Sequence, residues 1–418
     1  MRILWAKANK ILPAHSGGDI RSFNLLRQLA ASEEVTFFSY YDGPVDREYE
    51  KELEKCLPGS VCVCTRKQSS KLARGVDYLL RFHDEAPYAV SRFTSASVRQ
   101  RLDECLRQNA PDVVVCDFLD AAINFPEQAT IPSVLFQHNV ESEIWRRHAE
   151  TATSPGKKQI YKREFVKMLR YERAMVQKFD RVIAVSEHDR GLMSAWVHPS
   201  RIDVVPTGVD LGQFQADENS QLVEHLVMFV GAMDWEPNVD AVTHFCAAVW
   251  PSIAAKVPDA RFRIVGRNPN RRVKDLANAS VEVTGSVSSV VEHLKQAAVV
   301  VVPLRISGGT RLKIYEAMAA GKAVVSTTIG AEGLDLHHRK DIWLADDDDA
   351  LADAVVSLLL DQDLRRGLER AAAAQAAKFD WPAVAGKFRE ALENATRTRG
   401  GKQNAELAAV GSVSGHVT

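Results

Sequence analysis

Short, continuous apolar segments constrain the fold of this 418-residue chain more than any other feature. The clearest is Val299–Val302, a run of four valines. A strand with one face in solvent alternates apolar and polar residues, whereas a strand buried on both faces is apolar throughout, as in parallel sheets. Amphipathic stretches such as Arg21–Ala30 separate these segments. The pattern therefore predicts parallel sheets with helices on both faces.

The alternation occurs in two successive sets, which predicts an α/β protein of two doubly wound, Rossmann-like domains that face a central cleft. The first set of predicted strands is Met1–Trp5, Val35–Ser39, Val61–Cys64, Val113–Cys116, Ser133–Phe136, Arg181–Val185 and Ile202–Val205. The second set is Leu226–Val230, Arg261–Val265, Val281–Thr284, Val299–Val302, Ala323–Ser326 and Ile342–Leu344.

A polar, glycine-containing segment, Gly208–Ser220, separates the two sets and predicts a linker. We expect a first domain over 1–212 and a second over 213–380. A helix over 381–398 is expected to return to the first domain. The small polar residues of 399–418 predict a disordered tail.

Charge and hydropathy exclude several classes of protein. Lysine and arginine number 53 against 54 acidic residues, which argues against a nucleic-acid binder because such proteins need a basic domain. No apolar run reaches the ~18–20 residues of a membrane span, and the first residues lack the apolar region of a signal peptide. We therefore expect a cytoplasmic protein.

The segment from Pro303 to Gly321 carries the strongest local signal for chemistry. A buried strand runs into a loop with Gly308 and Gly309, and a helix is predicted over Thr310–Ala320. Glycines before a helix let backbone amides approach an anion, which the helix dipole also favours. Arg311 and Lys313 add positive charge in the first turn, where the dipole disfavours cations. A bound diphosphate would explain them.

Glu316 lies three residues after Lys313 and shares its helix face. A carboxylate one turn beyond a phosphate site can accept hydrogen bonds from two hydroxyls, such as those of a ribose. The alternative is an ordinary surface helix with a Lys–Glu pair.

Two further motifs follow predicted strands of the first domain. Gly17 and Gly18 precede a helix and could bring backbone amides to a phosphate or an acceptor, or simply form a tight turn. They do not form the G-x-G-x-x-G pattern of nicotinamide-binding proteins. His138 follows the strand Ser133–Phe136, at a carboxyl end where site residues collect, although a structural histidine is the alternative.

In the second domain, the loops beginning at Gly231 and Gly266 also follow strands. Arg267 could contact a phosphate or base, or be an ordinary surface arginine. The run Asp346–Asp349 contains the D-x-D spacing that can hold a divalent cation on a sugar nucleotide. Because it directly precedes a predicted helix, we interpret it as a helix start and predict no metal site.

The segment 146–178 is strongly basic, with ten lysines and arginines against three glutamates. Interspersed apolar residues predict an amphipathic helix. Contact with an anionic membrane or a phosphate-bearing acceptor is one interpretation. A solvated helix packed on its domain is the other.

Taken in order, these motifs resemble the GT-B-fold retaining glycosyltransferases of family four, the group 1 type. The resemblance covers about Arg2 to Leu392. It rests on Gly17–Arg21, Ala184–Arg190, Val204–Asp210, Phe229–Val242, Arg263–Pro269, Val283–Val287 and Pro303–Leu334.

The resemblance implies a sugar-nucleotide donor, UDP- or GDP-linked, on the second domain and a glycan, lipid-linked or small-molecule acceptor on the first. It implies no separate cofactor. Glu316 would bind the donor ribose, and Val287 and its neighbours would line the nucleobase site. The diphosphate would meet the amides of Gly308, Gly309 and Thr310 and the side chains of Arg311 and Lys313. His138 would lie near the donor sugar, and Gly17 and Gly18 match the first glycine loop.

One position departs from the family pattern. The family often has two glutamates eight positions apart, and Gly308 stands where the first would be. The leading hypothesis is sugar transfer. The alternatives are a sugar-nucleotide hydrolase or epimerase and a non-catalytic partner subunit of a glycan-assembly complex.

Overall fold

The computed structural model describes residues 1–14, 16–65, 71–127, 130–152, 154–214, 222–306 and 312–413. Side chains are described throughout these ranges except in 71–74 and 398–413. The chain divides into two compact units, one of 1–206 with 384–418 and the other of 207–383.

The first unit contains one parallel sheet of seven strands among the described residues, in the order β3-β2-β1-β4-β5-β6-β7. Its strands are β1 (Arg2–Ala8), β2 (Glu34–Tyr41), β3 (Val61–Cys64), β4 (Val113–Asp117), β5 (Ser133–Phe136), β6 (Arg181–Ala184) and β7 (Ile202–Val204). The helices between them are α1 (Gly17–Ala30), α2 (Arg47–Cys56), α3 (Lys71–Leu80), α4 (Tyr88–Ser91), α5 (Ala96–Asn109), α6 (Leu119–Ala122), α7 (Glu141–Thr151), α8 (Pro155–Lys178) and α9 (Glu187–Met193).

The second unit repeats the arrangement with a parallel sheet of six strands in its described part, in the order β10-β9-β8-β11-β12-β13. Its strands are β8 (Leu226–Val230), β9 (Arg261–Val265), β10 (Val281–Gly285), β11 (Val299–Val302), β12 (Ala323–Ser326) and β13 (Trp343–Leu344). The remaining helices are α10 (Leu211–Phe214), α11 (Glu236–His244), α12 (Trp250–Lys256), α13 (Arg271–Lys274), α14 (Val290–Gln296), α15 (Leu312–Ala319), α16 (Asp348–Leu360), α17 (Gln362–Ala376) and α18 (Trp381–Val413).

The sheets confirm the predicted fold class of two Rossmann-like domains. All thirteen predicted strands correspond to strands of the structure, with ends that differ by a few residues. The valines of β11 are at most 1% exposed, as expected for a strand covered on both faces. In each sheet the strand order reverses direction beside the first strand, between β1 and β4 and between β8 and β11. Ligands of doubly wound sheets bind at the carboxyl ends of the strands that flank such a point.

Helix α18 begins in the second unit and continues in the first from Val384 onward. Its Phe388 is fully buried and stacks on Trp5 of β1 at 5.1 Å between ring centroids. Phe136 of β5 packs edge-on against both rings. The helix extends to Val413, beyond the predicted 381–398 and into the segment for which we expected disorder.

The acidic run Asp346–Asp349 forms a helix start, as the sequence predicted. Asp347 is the N-cap of α16, and its carboxylate accepts a hydrogen bond from the amide of Ala350 at 2.8 Å. Asp346 accepts hydrogen bonds from the amide and hydroxyl of Thr328, both at 2.7 Å. The described residues contain no group of three or more His, Cys, Asp or Glu side chains that could hold a metal ion.

Gly231 and Gly266 directly follow β8 and β9, and their backbones contact each other closely. A Cβ atom on Gly266 would overlap the carbonyl oxygen of Gly231, so the two backbones pass each other closely only because Gly266 lacks a side chain. The Gly231 amide donates to the carbonyl of Val265 at 3.0 Å, and the Met233 amide donates to that of Arg267 at 2.9 Å. These contacts fix the loop after β8 against the loop after β9.

We expect Gly266→Ala to lower the free energy of unfolding by roughly 1–3 kcal/mol, because backbone must move to admit the methyl group. Thermal or denaturant unfolding followed by circular dichroism measures the change. Gly367→Ala is the matched control, since Gly367 lies in α17 with no atom near its missing Cβ. There the alanine raises stability by roughly 0.5–1 kcal/mol. Equal effects of the two substitutions would contradict the close approach at Gly266.

Candidate functional site

His138 lies just after β5, in the first unit, with both ring nitrogens hydrogen-bonded. Nε2 lies 2.6 Å from Oδ1 of Asp117 at the end of β4, and Nδ1 lies 3.0 Å from Nη1 of Arg21 in α1. Because a guanidinium can only donate, Nδ1 accepts and Nε2 carries the proton that Asp117 accepts. The histidine therefore has one defined tautomer.

The imidazole of His138 is 8% exposed, and burial lowers its pKa to about 4, with Asp117 partly opposing the shift. It is therefore neutral near pH 7. Because both ring nitrogens are hydrogen-bonded, the orientation of the imidazole ring is fixed. It is poorly suited to accept a proton from an acceptor hydroxyl.

Asp117 is the centre of a buried charged cluster that the sequence analysis missed. Burial by itself would raise the pKa of its carboxyl, but the Lys7 ammonium and His138 hold that pKa well below its usual range. Oδ2 accepts a hydrogen bond from Nε1 of Trp5 at 2.9 Å and lies 3.6 Å from Nζ of Lys7. Lys7 also lies 3.6 Å from Asp19. Buried charges arranged in this way are paired.

Phe118, the residue after Asp117, has strained backbone geometry, with φ 74° and ψ 169°. This region is normally restricted to glycine and costs on the order of 1–3 kcal/mol for other residues. The Phe118 amide donates to the carbonyl of Phe136 at 2.9 Å, and its ring packs 5.3 Å from that of His138. The strained residue therefore lies at the carboxyl ends of β4 and β5, next to Asp117 and His138.

Gly17 and Gly18 form the first turn of α1, which Ser16 caps by accepting a hydrogen bond from the Asp19 amide at 3.1 Å. A Cβ atom on Gly18 would lie 3.9 Å from the His138 ring. The structure thus brings together the predicted glycine loop and the predicted histidine. Arg21, one turn further along α1, supplies the guanidinium that orients His138.

The missed residues had weak signals in the sequence. Lys7 directly follows the apolar run Ile3–Ala6 of β1, and Asp117 ends the run VVVCD. A buried charge in such a position must have a partner, but the partner comes from a distant part of the chain. Arg21 is the last residue of the glycine motif Gly17–Arg21, and the motif by itself indicated no role for it.

In the second unit, Lys313 of α15 lies against the loop that follows β8. Its ammonium donates to Oδ1 of Asn238 at 2.8 Å and lies 4.4 Å from the ring centroid of Phe229. Asn238 is held in turn by a hydrogen bond to the carbonyl of Ala232 at 2.9 Å. A Cβ atom on Gly231 would lie 2.8 Å from the ammonium, so the glycine makes room for the cation.

Glu316 lies one turn beyond Lys313 and is partly buried. Burial raises the pKa of its carboxyl to about 7, and the nearby Lys313 lowers it in part. Within the described part of the chain, no hydrogen bond or ion pair involves its carboxylate. A carboxylate withdrawn from water in this way is suited to accept hydrogen bonds from a ligand.

Arg267 and Val287 follow β9 and β10. The backbone of Arg267 joins the loop that contains Gly231 and Met233, and its partly buried side chain has no ion pair among the described residues. Val287 packs against the core of the second unit. Beside these residues is a shallow cavity of about 550 Å³, lined by Asn268, Pro269, Lys274, Ala277, Val283, Thr284, Gly285 and Ser286.

Gly308, Gly309, Thr310 and Arg311 lie outside the described residues. The predicted diphosphate contacts of these four therefore stay predictions. The described part of the predicted donor site comprises Lys313 and Glu316 on α15 together with the loops after β8, β9 and β10.

The basic segment 146–178 forms two helices, α7 and α8, where the sequence analysis expected one. Arg146 pairs with Glu143 and Glu150 within α7, each at 2.7 Å. Among the helices of the described residues, none is long and apolar enough to cross a membrane.

Comparison with known proteins covers both units. Residues 16–213 match the family model described as Glycosyltransferase Family 4, and residues 224–361 match the one described as Glycosyl transferases group 1. An uncharacterized 44.6 kDa protein in the cps region of Klebsiella pneumoniae is 22% identical over 360 residues, which cover 82% of this chain and 87% of that protein.

The phosphatidyl-myo-inositol mannosyltransferase of Mycolicibacterium smegmatis is 27% identical over 202 residues. This match covers 45% of the chain and 51% of that enzyme, so the chain spans about half of it. The crystal structure of Anabaena HepE in complex with UDP has a TM-score of 0.68 at 14% identity, with 94% of this chain and all of that one covered. This likeness shows that the two proteins share a fold, the GT-B fold.

Two family models therefore cover most of both Rossmann-like units, in the order that the sequence motifs predicted. The carboxyl edges of the two sheets carry the polar residues that those motifs supply. The chain belongs to the group 1 glycosyltransferases of family four and is a glycosyltransferase.

Proposed function

We propose that the chain moves a hexose from a nucleotide-diphosphate sugar to an acceptor hydroxyl, and that the second unit holds the donor. One observation carries the proposal: Lys313 and Glu316 share a face of α15 beside the turn after β8. An ammonium stabilises a diphosphate, and a carboxylate one turn away can accept hydrogen bonds from ribose hydroxyls. Arg311 and the amides of Gly308, Gly309 and Thr310 would complete the diphosphate site.

The donor we propose is a UDP- or GDP-sugar, used as substrate without a separate cofactor. The cavity at the ends of β9 and β10 has the size and mixed lining that a nucleobase requires, and Arg267 and Val287 are next in sequence to its lining residues Asn268 and Ser286. The UDP bound in HepE supports this proposal.

Departure of the nucleoside diphosphate is the step that needs electrostatic help. Lys313, held by Asn238, is fixed before the reaction, so it can stabilise the departing charge without reorganisation. We propose that Arg311 assists, that no metal is required, and that the leaving phosphate helps to deprotonate the acceptor on the same face, with retention of configuration. In this scheme His138 positions the substrate and does not act as the general base.

The acceptor we propose is a glycan, a lipid-linked glycan or a small molecule, used in cell-surface polysaccharide or glycolipid assembly. The phosphatidyl-myo-inositol mannosyltransferase of Mycolicibacterium smegmatis, a relative of this chain, supports a lipid-linked acceptor. A cytoplasmic location and peripheral membrane contact through 146–178 belong to the same proposal.

Thermal-shift measurement of the purified protein with UDP-, GDP- and ADP-sugars tests the donor class. We expect stabilisation by one of the first two groups, because a ligand that binds only the folded state raises the unfolding temperature. Assays with and without acceptor then separate transfer from hydrolysis. Absence of a shift with every sugar nucleotide would count against the proposal.

Lys313→Ala should lower kcat/KM for transfer by about 10²-fold or more, since it removes a fixed cation from the leaving group. The matched control is Lys256→Ala, which removes an exposed lysine of the same unit and should leave transfer within about twofold. Donor affinity, measured by calorimetry, should fall in Lys313→Ala and stay unchanged in the Lys256→Ala control. Near-normal transfer by this variant would refute the diphosphate assignment.

Glu316→Gln should weaken donor binding roughly 10–100-fold, because hydrogen bonds to a charged acceptor are lost. It should also change how stability depends on pH. The folded-state pKa is raised from 4.5 to about 7, so wild type loses stability as pH rises through this window and the variant does not. Between pH 4.5 and 7, the free energy of unfolding of the variant should rise relative to that of wild type by at most roughly 3 kcal/mol.

Denaturant unfolding at several pH values measures that difference, and a constant offset between the two proteins would contradict the raised pKa. Gain of stability together with loss of binding is the signature expected of a ligand-binding carboxylate.

His138→Ala should lower kcat for transfer by roughly 10-fold or more, while the KM for the donor changes little. Since the pKa of His138 is about 4, its titration should not affect kcat between pH 5.5 and 8. Steady-state pH profiles of wild type and variant test this. The informative result would be a fall in the kcat of wild type below pH 6–7 that is absent in His138→Ala but still present in Glu316→Gln. His138 would then be a general base and our interpretation would be wrong.

A further inference from the structure

Helix α7, which begins three residues after His138, has no capping side chain at its own start. Its N-cap position is Val140, whose apolar side chain accepts no hydrogen bond. By contrast, α1 and α5 begin at Ser16 and Ser95, each of which accepts from an amide three residues further on. An uncapped start leaves backbone N–H groups without a partner. The first amides of α7 therefore need an acceptor from another part of the chain.

Glu172 of α8 is that acceptor. Its carboxylate accepts hydrogen bonds from the amides of Glu141 and Ser142, the first two residues of α7, at 2.8 and 2.9 Å. Its Oε1 atom also accepts from Nε2 of Gln137 at 3.1 Å. Glu172 is fully buried, and no cation among the described residues pairs with it. Its charge is therefore balanced by hydrogen-bond donors and by the positive end of the α7 dipole.

The contacts of Glu172 lie on both sides of His138. Gln137 directly precedes the histidine, and the start of α7 follows it. The Oε1 atom of Gln137 is buried and accepts no hydrogen bond within the described part of the chain, so the bond to Glu172 orients this side-chain amide. One carboxylate thus fixes both ends of the segment 137–142, with His138 between them.

The ring of His138 depends on the position of this segment. Its nitrogens contact Asp117 at 2.6 Å and Arg21 at 3.0 Å, and these partners come from β4 and α1. Hydrogen bonds weaken steeply when their geometry changes, so both contacts require that the backbone beneath the ring stays in place. A capping serine at position 140 would satisfy α7 alone, whereas Glu172 holds α7 and Gln137 together.

We propose that Glu172 is a positioning residue for sugar transfer, because it fixes the backbone segment from which His138 reaches Asp117 and Arg21. Its effect on the rate rests on the role proposed for His138, whereas its effect on the orientation of the ring does not. Burial raises the pKa of the Glu172 carboxyl to about 7, and its hydrogen-bond donors oppose the shift. The residue is therefore tested at pH 8, where the carboxylate is ionised.

Glu164 of the same helix provides a matched control. It is 3% exposed, and its carboxylate accepts a hydrogen bond from the amide of Tyr88 at 2.9 Å. Tyr88 begins α4, so Glu164 is also a buried glutamate that holds the start of a helix, but it forms no hydrogen bond with the segment 137–142. Loss of either carboxylate should lower the unfolding temperature, and only loss of Glu172 should affect transfer.

Steady-state kinetics test the effect on the rate. Glu172→Ala should lower kcat roughly 10-fold, as His138→Ala does, with little change in the KM for the donor, because a displaced group loses its reactive geometry. Glu172→Gln should restore part of the loss, since its amide oxygen still accepts. Glu164→Ala should leave kcat within about twofold, because separate sites act independently. Gln137→Ala, which leaves the start of α7 capped, should lower kcat and provides the test if Glu172→Ala does not fold.

A double variant shows whether Glu172 acts through His138. In the His138→Ala background, Glu172→Ala should not lower kcat further, because both substitutions remove the contribution of one ring.

NMR of protein labelled with ¹⁵N-histidine reports on the ring itself, and loss of its signals in His138→Ala assigns them. In wild type and Glu164→Ala, the two nitrogens should show the widely separated shifts of a single tautomer with the proton on Nε2. In Glu172→Ala or Gln137→Ala the two shifts should approach each other, because the tautomers mix once the ring is displaced from its partners.

Unchanged kcat and unchanged His138 shifts in folded Glu172→Ala would overturn the proposal, since Glu172 would then only cap α7. A further loss of kcat in the His138→Ala background would also overturn it. If His138→Ala transfers sugar normally, the role proposed for His138 fails, and the NMR shifts then decide whether Glu172 positions the ring.

Discussion

Burial of the parallel strands on both faces governs where this protein can place its chemistry. Strands such as β11 are covered on each side, so their side chains contact only other apolar groups. Polar side chains and open backbone groups therefore concentrate where strands end. In both sheets the strand order reverses beside the first strand, the point at which doubly wound sheets bind their ligands. His138 in one unit and Lys313 in the other lie close to such points.

Each unit stabilises its site residues through contacts that would otherwise be costly. In the first, Asp117 is kept ionised in the interior by Lys7, His138 and Trp5, and the same carboxylate fixes the tautomer of His138. In the second, the glycine at 231 admits the Lys313 ammonium, and Asn238 orients it. The charges of Asp117 and Lys313 are tolerated because each has a defined partner, which makes the geometry rigid before a substrate arrives.

Local patterns were sufficient for the strands, the helix start at Asp347 and the family. Apolar runs and helix-capping residues act over a few residues, so periodicity alone located them. They were not sufficient for Asp117, Lys7 or Arg21. Lys7 pairs with Asp117, and Arg21 contacts His138, and the residues of each pair lie more than one hundred positions apart in the chain. Likewise, the count of charges in 146–178 did not reveal that two of its three glutamates are buried and accept hydrogen bonds from the amides of other helices.

The sequence by itself determined the two-domain fold class, the order of the strands along the chain and the segments after strands that carry Gly18, His138, Lys313 and Glu316. These follow from hydrophobic period and from the family motifs, which are local. The tertiary structure decided the protonation of His138, the raised pKa of Glu316 and the contacts of Glu172 with the segment around His138. Those properties depend on burial and on pairing between distant segments, because the free energy of a charge is set by what surrounds it.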